Sequence, residues 1–532
     1  MVRPFWSRCL IDIAGFFFFL PNEDKGRGEE NVMAAQWFIW GWLAAVAIVF
    51  ISAAAWLHPR MPERYVHVHV WLLLLPGAAA AAGWIGAGNA EAGPWRFDAV
   101  SWLVAVYISL LSWAIQRFAV RYLHGDRAYR RYFSLLTWTV SAASLTWASG
   151  DMRLVAVCWG LPLMGLVALT ALKKEWRPAQ FVARQMAVVF SLSWLAVVIA
   201  AVWLGTAAGE WQLASALSAE RLARLDAWEK AVMNGLLILA AIIPAGQWPF
   251  HRWLMESAVT PTPVSAVMHA GLVNAGGLLL WRFSPLFHET WAHVALFLIA
   301  FASILIGTGI SLVHVDYKRQ LVGSTMAQMG VMLVQCALGA YGAAVVHLVL
   351  HGLFKATLFL QSGSVVPRVG RAGLRKTGSL WPGGIILGVL LGWAFWQAAP
   401  HEPARLLSAL LLGASAAVAW GRLADFREGR WMGLAAVAVL AFGSETVRHQ
   451  FLTLLGQGEA TVFVPPAAFE WTVGVLFAMA ALTAAWLANR RTSALAVRVY
   501  MHLVHLGEPR PAAMEAHPRY LASYLKEGMA HE

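Results

Sequence analysis

The stretch YGAAVVHLVLHGLFKATLFLQSGS, from Tyr341 to Ser364, decides the fold class. Its apolar run is long enough to cross a hydrocarbon core of about 30 Å, which takes about 20 helical residues at about 1.5 Å each. Three ionisable residues interrupt it, His347, His351 and Lys355, spaced i, i+4 and i+8. Steps of four residues drift by only about 40° on an α-helix, so the three share nearly one face over about 12 Å of axis. Ionisable groups at membrane depth are costly and mark ion pathways. A file of them is what a proton or ion relay needs, because imidazole exchanges protons near neutral pH and a desolvated lysine can lose its charge when a neighbour gains one. The competing reading has the histidines hydrogen-bonded to neighbouring helices and Lys355 snorkelling to the interface.

The rest of the chain agrees with a lipid solvent. Of 532 residues, 59% are hydrophobic and 13% charged, with 29 Trp and 26 Phe. An ordinary soluble domain is about 25% charged, which excludes a soluble globular enzyme. The formal charge of +12 sits in short segments between apolar blocks, as in a membrane protein that orients itself, rather than in a nucleic-acid-binding face. Cys9, Cys158 and Cys336 are too far apart in sequence to form a zinc or redox pair and read as small buried hydrophobes.

The length rule gives about fifteen spans, within one or two, from Ala34–Leu57 to Trp471–Ala488. The short Trp431–Ser444 segment and residues 451–469 are ambiguous. Loops after odd-numbered spans carry most of the basic residues, among them Arg60 and Arg64, Arg127 to Arg131, Lys173 to Arg184, Lys318 and Arg319, Arg368 to Lys376, and Arg490 and Arg491. By the positive-inside bias these loops face the cytoplasm, which starts the first span outside and leaves the C-terminal tail inside. Residues 205–230 mix charges around Leu222, Leu225 and Trp228, as an interfacial amphipathic helix or a helical loop would.

Prolines break the pattern in one region. IPAG (Ile243 to Gly246), QWPFHRWL (Gln247 to Leu254) and PTPVSAVMHAG (Pro261 to Gly271) follow one another. Irregular backbone at membrane depth survives only where protein or a water-filled cavity satisfies it, and discontinuous helices with polar neighbours mark ion sites in transporters. His269, with Ser265 one turn before it and Asn274 beyond, is therefore a candidate; the alternative is a proline-rich loop followed by a satisfied buried histidine. In DYKRQLVGSTMAQMG, Asp316 to Gly330, the charges read as topology anchors, whereas Ser324, Thr325 and Gln328 could line a water path. Glu445 reads as an interfacial carboxylate near Arg448. There is no phosphate-binding glycine loop, bis-histidine haem arrangement or zinc constellation, so neither ATP, haem nor a metal is expected as a cofactor on this chain.

QWPFHRWL, PTPVSAVMHAG, DYKRQLVGSTMAQMG and HLVLHGLFKATLFLQSGS together resemble the signature segments of the antiporter-like subunits of respiratory complex I and of Mrp-type cation antiporters. The resemblance covers 231–364 well and the flanks by span count. It implies an all-α polytopic membrane protein with two inverted five-helix repeats and broken helices, a polar axis at mid-membrane, and pathway roles for His347, His351, Lys355 and His269. The chain then divides into a leader or mis-assigned start (1–33), N-terminal helices (34–130), a first repeat (131–283), a second repeat (293–420), C-terminal helices (421–488) and a cytoplasmic tail (489–532).

Two departures narrow the resemblance. Pro244 stands where the first repeat usually has a lysine, and CWGLP, Cys158 to Pro162, lacks the usual glutamate. HAGLVNAGGLLLWRFSPL, His269 to Leu286, is instead similar to the DabB family, membrane subunits of DAB inorganic-carbon accumulation systems. That resemblance implies a large cytoplasmic zinc partner of the DabA type, similar to a β-carbonic anhydrase, with the metal on the partner and a proton or Na⁺ flux through this subunit in the cell inner membrane. The competing classes are a proton-pumping or cation/proton antiporter subunit of a complex I-like or Mrp-like assembly, and a scaffold that only anchors its partner.

Overall fold

The computed structural model describes residues 29–287, 290–364, 381–398, 404–423 and 466–515. The Trp431–Ser444 segment, residues 451–465, Glu445, Arg448, Cys9 and the basic residues from Arg368 to Lys376 lie outside them.

The chain opens with α1 (Glu29–Trp56), then α2 (Tyr65–Leu72) and α3 (Leu75–Ala87), which form one crossing bent at Leu73 and Leu74. Pro76 sits in the first turn of α3, where its missing N–H costs nothing. A short antiparallel hairpin, β1 (Ala90–Ala92) and β2 (Trp95–Phe97), pairs Ala90 with Phe97 and turns at Gly93. Asp98 then caps α4 (Ala99–Tyr122) by accepting from the Ser101 N–H at 2.8 Å. α5 (Tyr129–Ala148), α6 (Met152–Thr170) and α7 (Arg177–Ala208) follow as consecutive antiparallel neighbours.

Residues 209–226 form a helical loop, with one-turn helices α8 (Leu213–Ala216) and α9 (Ala219–Leu222); Leu222 and Leu225 are buried, and Trp228 beyond them is exposed. α10 (Ala227–Ile242) stops at the proline cluster, α11 (Arg252–Glu256) is a single turn, and α12 (Thr262–Ala270) and α13 (Ala275–Arg282) are separated by a tight turn at Leu272–Asn274. The long hairpin of α14 (Thr290–Val313) and α15 (Tyr317–Ala337) leads into α16 (Tyr341–Gln361). α17 (Trp381–Ala398) and α18 (Arg405–Leu423) pair, α19 (Ala467–Asn489) packs on α18, and α20 (Ala494–Gly507) lies on α14, where Leu503 meets Gly309.

Among the described residues, nine helical stretches are long and apolar enough to cross a membrane. α5 and α15 are not in that set, because Ser, Thr, Gln and basic residues dilute their apolar runs, yet both are packed into the bundle. The outer surface is apolar: Val188, Leu298, Leu312 and Leu482 are all exposed, as a lipid solvent requires. α4, α12 and α13 are the most enclosed, and α16 packs against all three. Besides the bend at Leu73 and Leu74, two helix breaks among the described residues lie within residues 243–274; the described helices of the 293–420 segment run without interruption.

Candidate ion pathway

Lys355 is 1% exposed, and its surroundings explain how an ammonium is held there. Its Nζ donates to the Leu321 carbonyl oxygen of α15 at 2.9 Å and to Ser324 Oγ in a very short contact. Leu321 O also accepts from Thr325 Oγ1 at 2.9 Å and from Ser324 Oγ at 3.3 Å. Three donors thus converge on one carbonyl a turn below, and α15 presents its backbone oxygen to the neighbouring helix. Among the described residues no carboxylate lies within ion-pair distance of Lys355, and the groups that meet its Nζ are the Leu321 carbonyl and the Ser324 hydroxyl. By helix rise, Lys355 is six residues, about 9 Å, from the Gln361 end of α16.

The remaining file is also in place. His351 is 7% exposed, lies one turn before Lys355, and its Nε2 has no protein partner. The His347 and His351 ring centroids are 5.7 Å apart. His269 comes from the other side: its ring stacks on Phe359 of α16, with centroids 4.3 Å apart and planes within 10°. His269 Nδ1 is buried without a protein partner, and His269, His351 and Lys355 lie within electrostatic range of one another. The two helices come this close because residue 352 is glycine: a Cβ there would meet the Ala270 carbonyl oxygen at 2.5 Å and overlap the Tyr107 hydroxyl. Tyr107 of α4 donates to that same Ala270 oxygen at 2.8 Å.

The first break is buried from Ile243 to Gln247 and exposed at Trp248 and Pro249, and side chains brace it. Gly246 takes φ +61°, which its missing Cβ permits, and the Gln247 N–H reaches back to Ile242 O at 3.0 Å. Trp253 Nε1 donates to Ile243 O at 2.8 Å, and the Trp248 N–H to Ser303 Oγ at 2.9 Å. The proline cluster is therefore a discontinuous helix with its Ile243–Gln247 end inside the protein and its Trp248–Pro249 turn at the surface. Fully buried Gln247 donates to Ala245 O and Met326 O, leaving Oε1 without a protein partner. Asn274 Nδ2 donates to Ala270 O at 2.7 Å with Oδ1 unpartnered, and neither side-chain amide atom of Asn234 has a protein partner. An unmet buried polar atom costs about 1–3 kcal/mol, so such a series stands out in an otherwise apolar interior.

Ser265 is buried and shares a 2.8 Å hydrogen bond with Thr260 Oγ1, while Lys318 Nζ reaches Thr260 O at 3.1 Å. Lys318 thus ties α15 to the segment between the breaks, a part beyond topology anchoring. Asp316 caps α15 and pairs with Arg319 at 3.2 Å. Gln328 does not join the site: it is exposed on the outer face of α15. It lies four residues from Ser324, and the drift of about 40° per such step takes it past the edge of the half-buried stripe. Gln247, Asn234 and Tyr107 were not among the sequence candidates; the glutamine beside Pro249 and the tyrosine inside an apolar span were the available signals.

On the face carrying the basic loops, buried Glu256 of α11 accepts from Arg510 Nε at 2.6 Å and Nη2 at 2.7 Å. Those bonds hold the Arg510 proton more firmly than usual, and its guanidinium also covers the Phe181 ring at 4.8 Å. The polar tail beyond α20 is thereby fastened beside the first break.

A bundle with discontinuous helices and a lysine–histidine file in its interior defines a membrane subunit that handles ions. The chain belongs to the family described as NADH:quinone oxidoreductase/Mrp antiporter, TM, which matches residues 149–426, and residues 84–133 match the N-terminus of chain 5 of NADH-ubiquinone oxidoreductase (complex I). Within that family it is 47% identical over 485 residues to the probable inorganic carbon transporter subunit DabB of Bacillus subtilis (strain 168), covering 89% of this chain and 95% of that one. It is 44% identical over 491 residues to the protein of the same description in Bacillus anthracis, covering 91% and 96%. The fold is shared with a chain of the Mrp complex from Dietzia sp. DQ12-45-1b, at TM-score 0.55 and 22% identity, over 92% of this chain and 59% of that one. The protein is an ion-driven membrane transporter subunit of this antiporter-like family.

Proposed function

We propose that this subunit passes protons down their gradient through the α16 file and that the flux energises inorganic-carbon accumulation by a cytoplasmic, zinc-holding, carbonic-anhydrase-like partner. The observation that carries the ion-conducting part is Lys355, buried on the Leu321 carbonyl and Ser324 beside two histidines and an unpartnered imidazole nitrogen. The carbon substrate rests on the description of relatives that match this chain nearly end to end.

In the proposed path a proton reaches His347 from the side of Tyr341, passes to His351, then to Lys355, and leaves past Ser324 toward the basic loops, which face the cytoplasm. Neighbouring sites are about 6 Å apart along the axis. Two unit charges at that spacing repel by about 3 kcal/mol at an effective dielectric of 20. The file therefore holds one excess proton at a time, and a proton arriving behind expels the one ahead. His269, stacked on Phe359, is the link to the broken helix, and water held by Asn274, Gln247 and Asn234 would complete the polar axis. Zinc, when bound to the partner, would supply CO2 hydration there. Na⁺ in place of H⁺ is the alternative coupling ion, and the Lys355 ammonium disfavours it because a second cation beside it would have to overcome the same repulsion.

The test is radiolabelled inorganic-carbon uptake in cells lacking carbonic anhydrase, expressing this chain with and without the zinc partner, with an uncoupler in parallel. Uptake that needs both proteins and collapses with the uncoupler supports the reading. No uptake from a pair that reaches the membrane would overturn it in favour of a quinone-linked or cation-exchange role.

A further inference from the structure

A second buried polar file runs through the N-terminal helices, away from α16, and nothing in the mechanism above uses it. His69 of α2 is fully buried. Its Nδ1 shares a 2.9 Å hydrogen bond with Ser52 Oγ of α1, and its Nε2 another of 2.9 Å with Thr137 Oγ1 of α5. Ser52 Oγ continues to the Tyr65 hydroxyl at 2.8 Å. Thr137 contacts both ends of the Gln116 amide on α4, at 3.0 and 3.3 Å, and Gln116 Nε2 donates to Ser112 Oγ at 3.1 Å. Ser52, Thr137, Gln116 and Ser112 are all buried, whereas Tyr65 is half-buried and follows the exposed Glu63 in a loop that also carries Arg60 and Arg64.

The file therefore opens on the face of the basic loops and runs inward. Ser112 lies ten residues from the Tyr122 end of α4, about 15 Å by helix rise, or half of a core of about 30 Å. There it lines a cavity of about 50 Å³ shared with Tyr107, Thr146, Val267, Gly271 and Leu348. Its lining is mostly apolar, with Ser112, Tyr107, Thr139 and Thr146 among the polar side chains that reach it. It touches α12 and α16, the two helices that carry His269 and the Lys355 file.

The partners of His69 distinguish it from a structural histidine. Both its ring nitrogens face hydroxyls, which can donate or accept, so either tautomer keeps both bonds and the ring can take a proton on one side while releasing one on the other. His293, by contrast, has both nitrogens 2.8 Å from carbonyl oxygens, of Ala337 and Phe287, which can only accept. We propose that Tyr65, Ser52, His69 and Thr137 form a second proton half-channel, opening at the basic face and closed at mid-membrane by the Gln116 amide. A proton from water at the mouth displaces the Tyr65 hydroxyl proton onto Ser52, whose own proton passes to His69 Nδ1. With Gln116 swung aside and a water in its place, the Nε2 proton moves to Thr137 as Thr137's own hydroxyl proton leaves to that water; with Gln116 in place the proton stops at His69. Gln116 in its ordinary amide form relays no proton, so a step to the cavity requires it to swing aside for water. This half-channel rests on the ion-conducting reading above.

The experiment is dye-reported proton flux under an imposed potential, with the full-length chain and its partner in proteoliposomes. His69→Gln retains polar ends toward Ser52 and Thr137 but cannot relay, and Tyr65→Phe removes one half-buried hydroxyl. Flux at least tenfold below wild type for H69Q and severalfold below for Y65F, with unchanged melting temperatures, is the expected result. Wild-type flux in H69Q, with K355A blocked, would overturn the half-channel and leave the α16 path standing. A wild-type protein without flux, or K355A conducting like wild type, would remove the ion-conducting reading and this inference with it. Should H69Q unfold, Y65F decides: flux equal to wild type contradicts the half-channel.

Discussion

His269 of α12 and Phe359 of α16 stack face to face, centroids 4.3 Å apart, and this contact joins the broken helix to the helix that carries Lys355. Phe359 is one turn beyond Lys355, so the aromatic face holds the imidazole next to the lysine file while leaving its Nδ1 free of protein partners. Phe359→Ala is expected to lower stability by about 3 kcal/mol, the cost of emptying a buried aromatic site, and to reduce transport by releasing His269. Phe359→Leu refills most of the volume without a ring. It should recover most of the melting temperature but not the transport rate, and equal recovery of both would reduce the stacking to simple packing.

The approach of α16 to α12 depends on Gly352. Gly352→Ala places a methyl against the Ala270 carbonyl oxygen and the Tyr107 hydroxyl, and overpacking of this kind costs about 1–3 kcal/mol. Tyr107→Phe removes the overlapping hydroxyl, so the double variant should melt above G352A alone. Thermal denaturation in detergent of the four proteins, wild type included, measures that coupling. Strict additivity would show that the contact does not limit the helix spacing.

Glu256 and Arg510 form a pair in which the carboxylate is buried and the guanidinium half-exposed. Removing the arginine leaves a buried charge unpaired, which costs about 3 kcal/mol even with partial solvent access. Arg510→Ala should therefore loosen the tail and expose residues after Gly507 to protease, whereas Arg510→Lys, with one point of attachment instead of a fork, should fall between. Protease resistance of the alanine variant equal to wild type would show that the tail is held elsewhere, for instance through α20 on α14.

Local spacing made part of this site legible in the sequence. The i, i+4, i+8 series of His347, His351 and Lys355 identified a helix face directly, because helix geometry is a short-range property, and prolines 244 and 249 announced the discontinuous helix for the same reason. What spacing could not supply was the partner across the bundle. The acceptor for Lys355 is a backbone oxygen, Leu321 O, and no side chain at that position records it. Gln328 read as a pathway residue and Gln247 did not, although the structure exposes the first and buries the second: a rotation of about 40° from Ser324 carries Gln328 off the buried face, and Gln247 lies in the break, where no periodicity applies. The His69 file draws on α1, α2, α4 and α5, and within it only two pairs, Tyr65 with His69 and Ser112 with Gln116, share a helical spacing, so no local pattern joins the four helices. Glu256 and Arg510 stand 254 residues apart, beyond any periodic signal.

The central claim, that protons cross through the α16 file, is tested most directly by proton flux into proteoliposomes containing the full complex, comparing wild type with Lys355→Ala and Lys355→Arg. The account predicts flux in the wild type and at least a tenfold loss in K355A. K355R should also stay blocked, because a guanidinium keeps its proton at any working pH. Flux in K355A equal to wild type, with the complex intact, would contradict it.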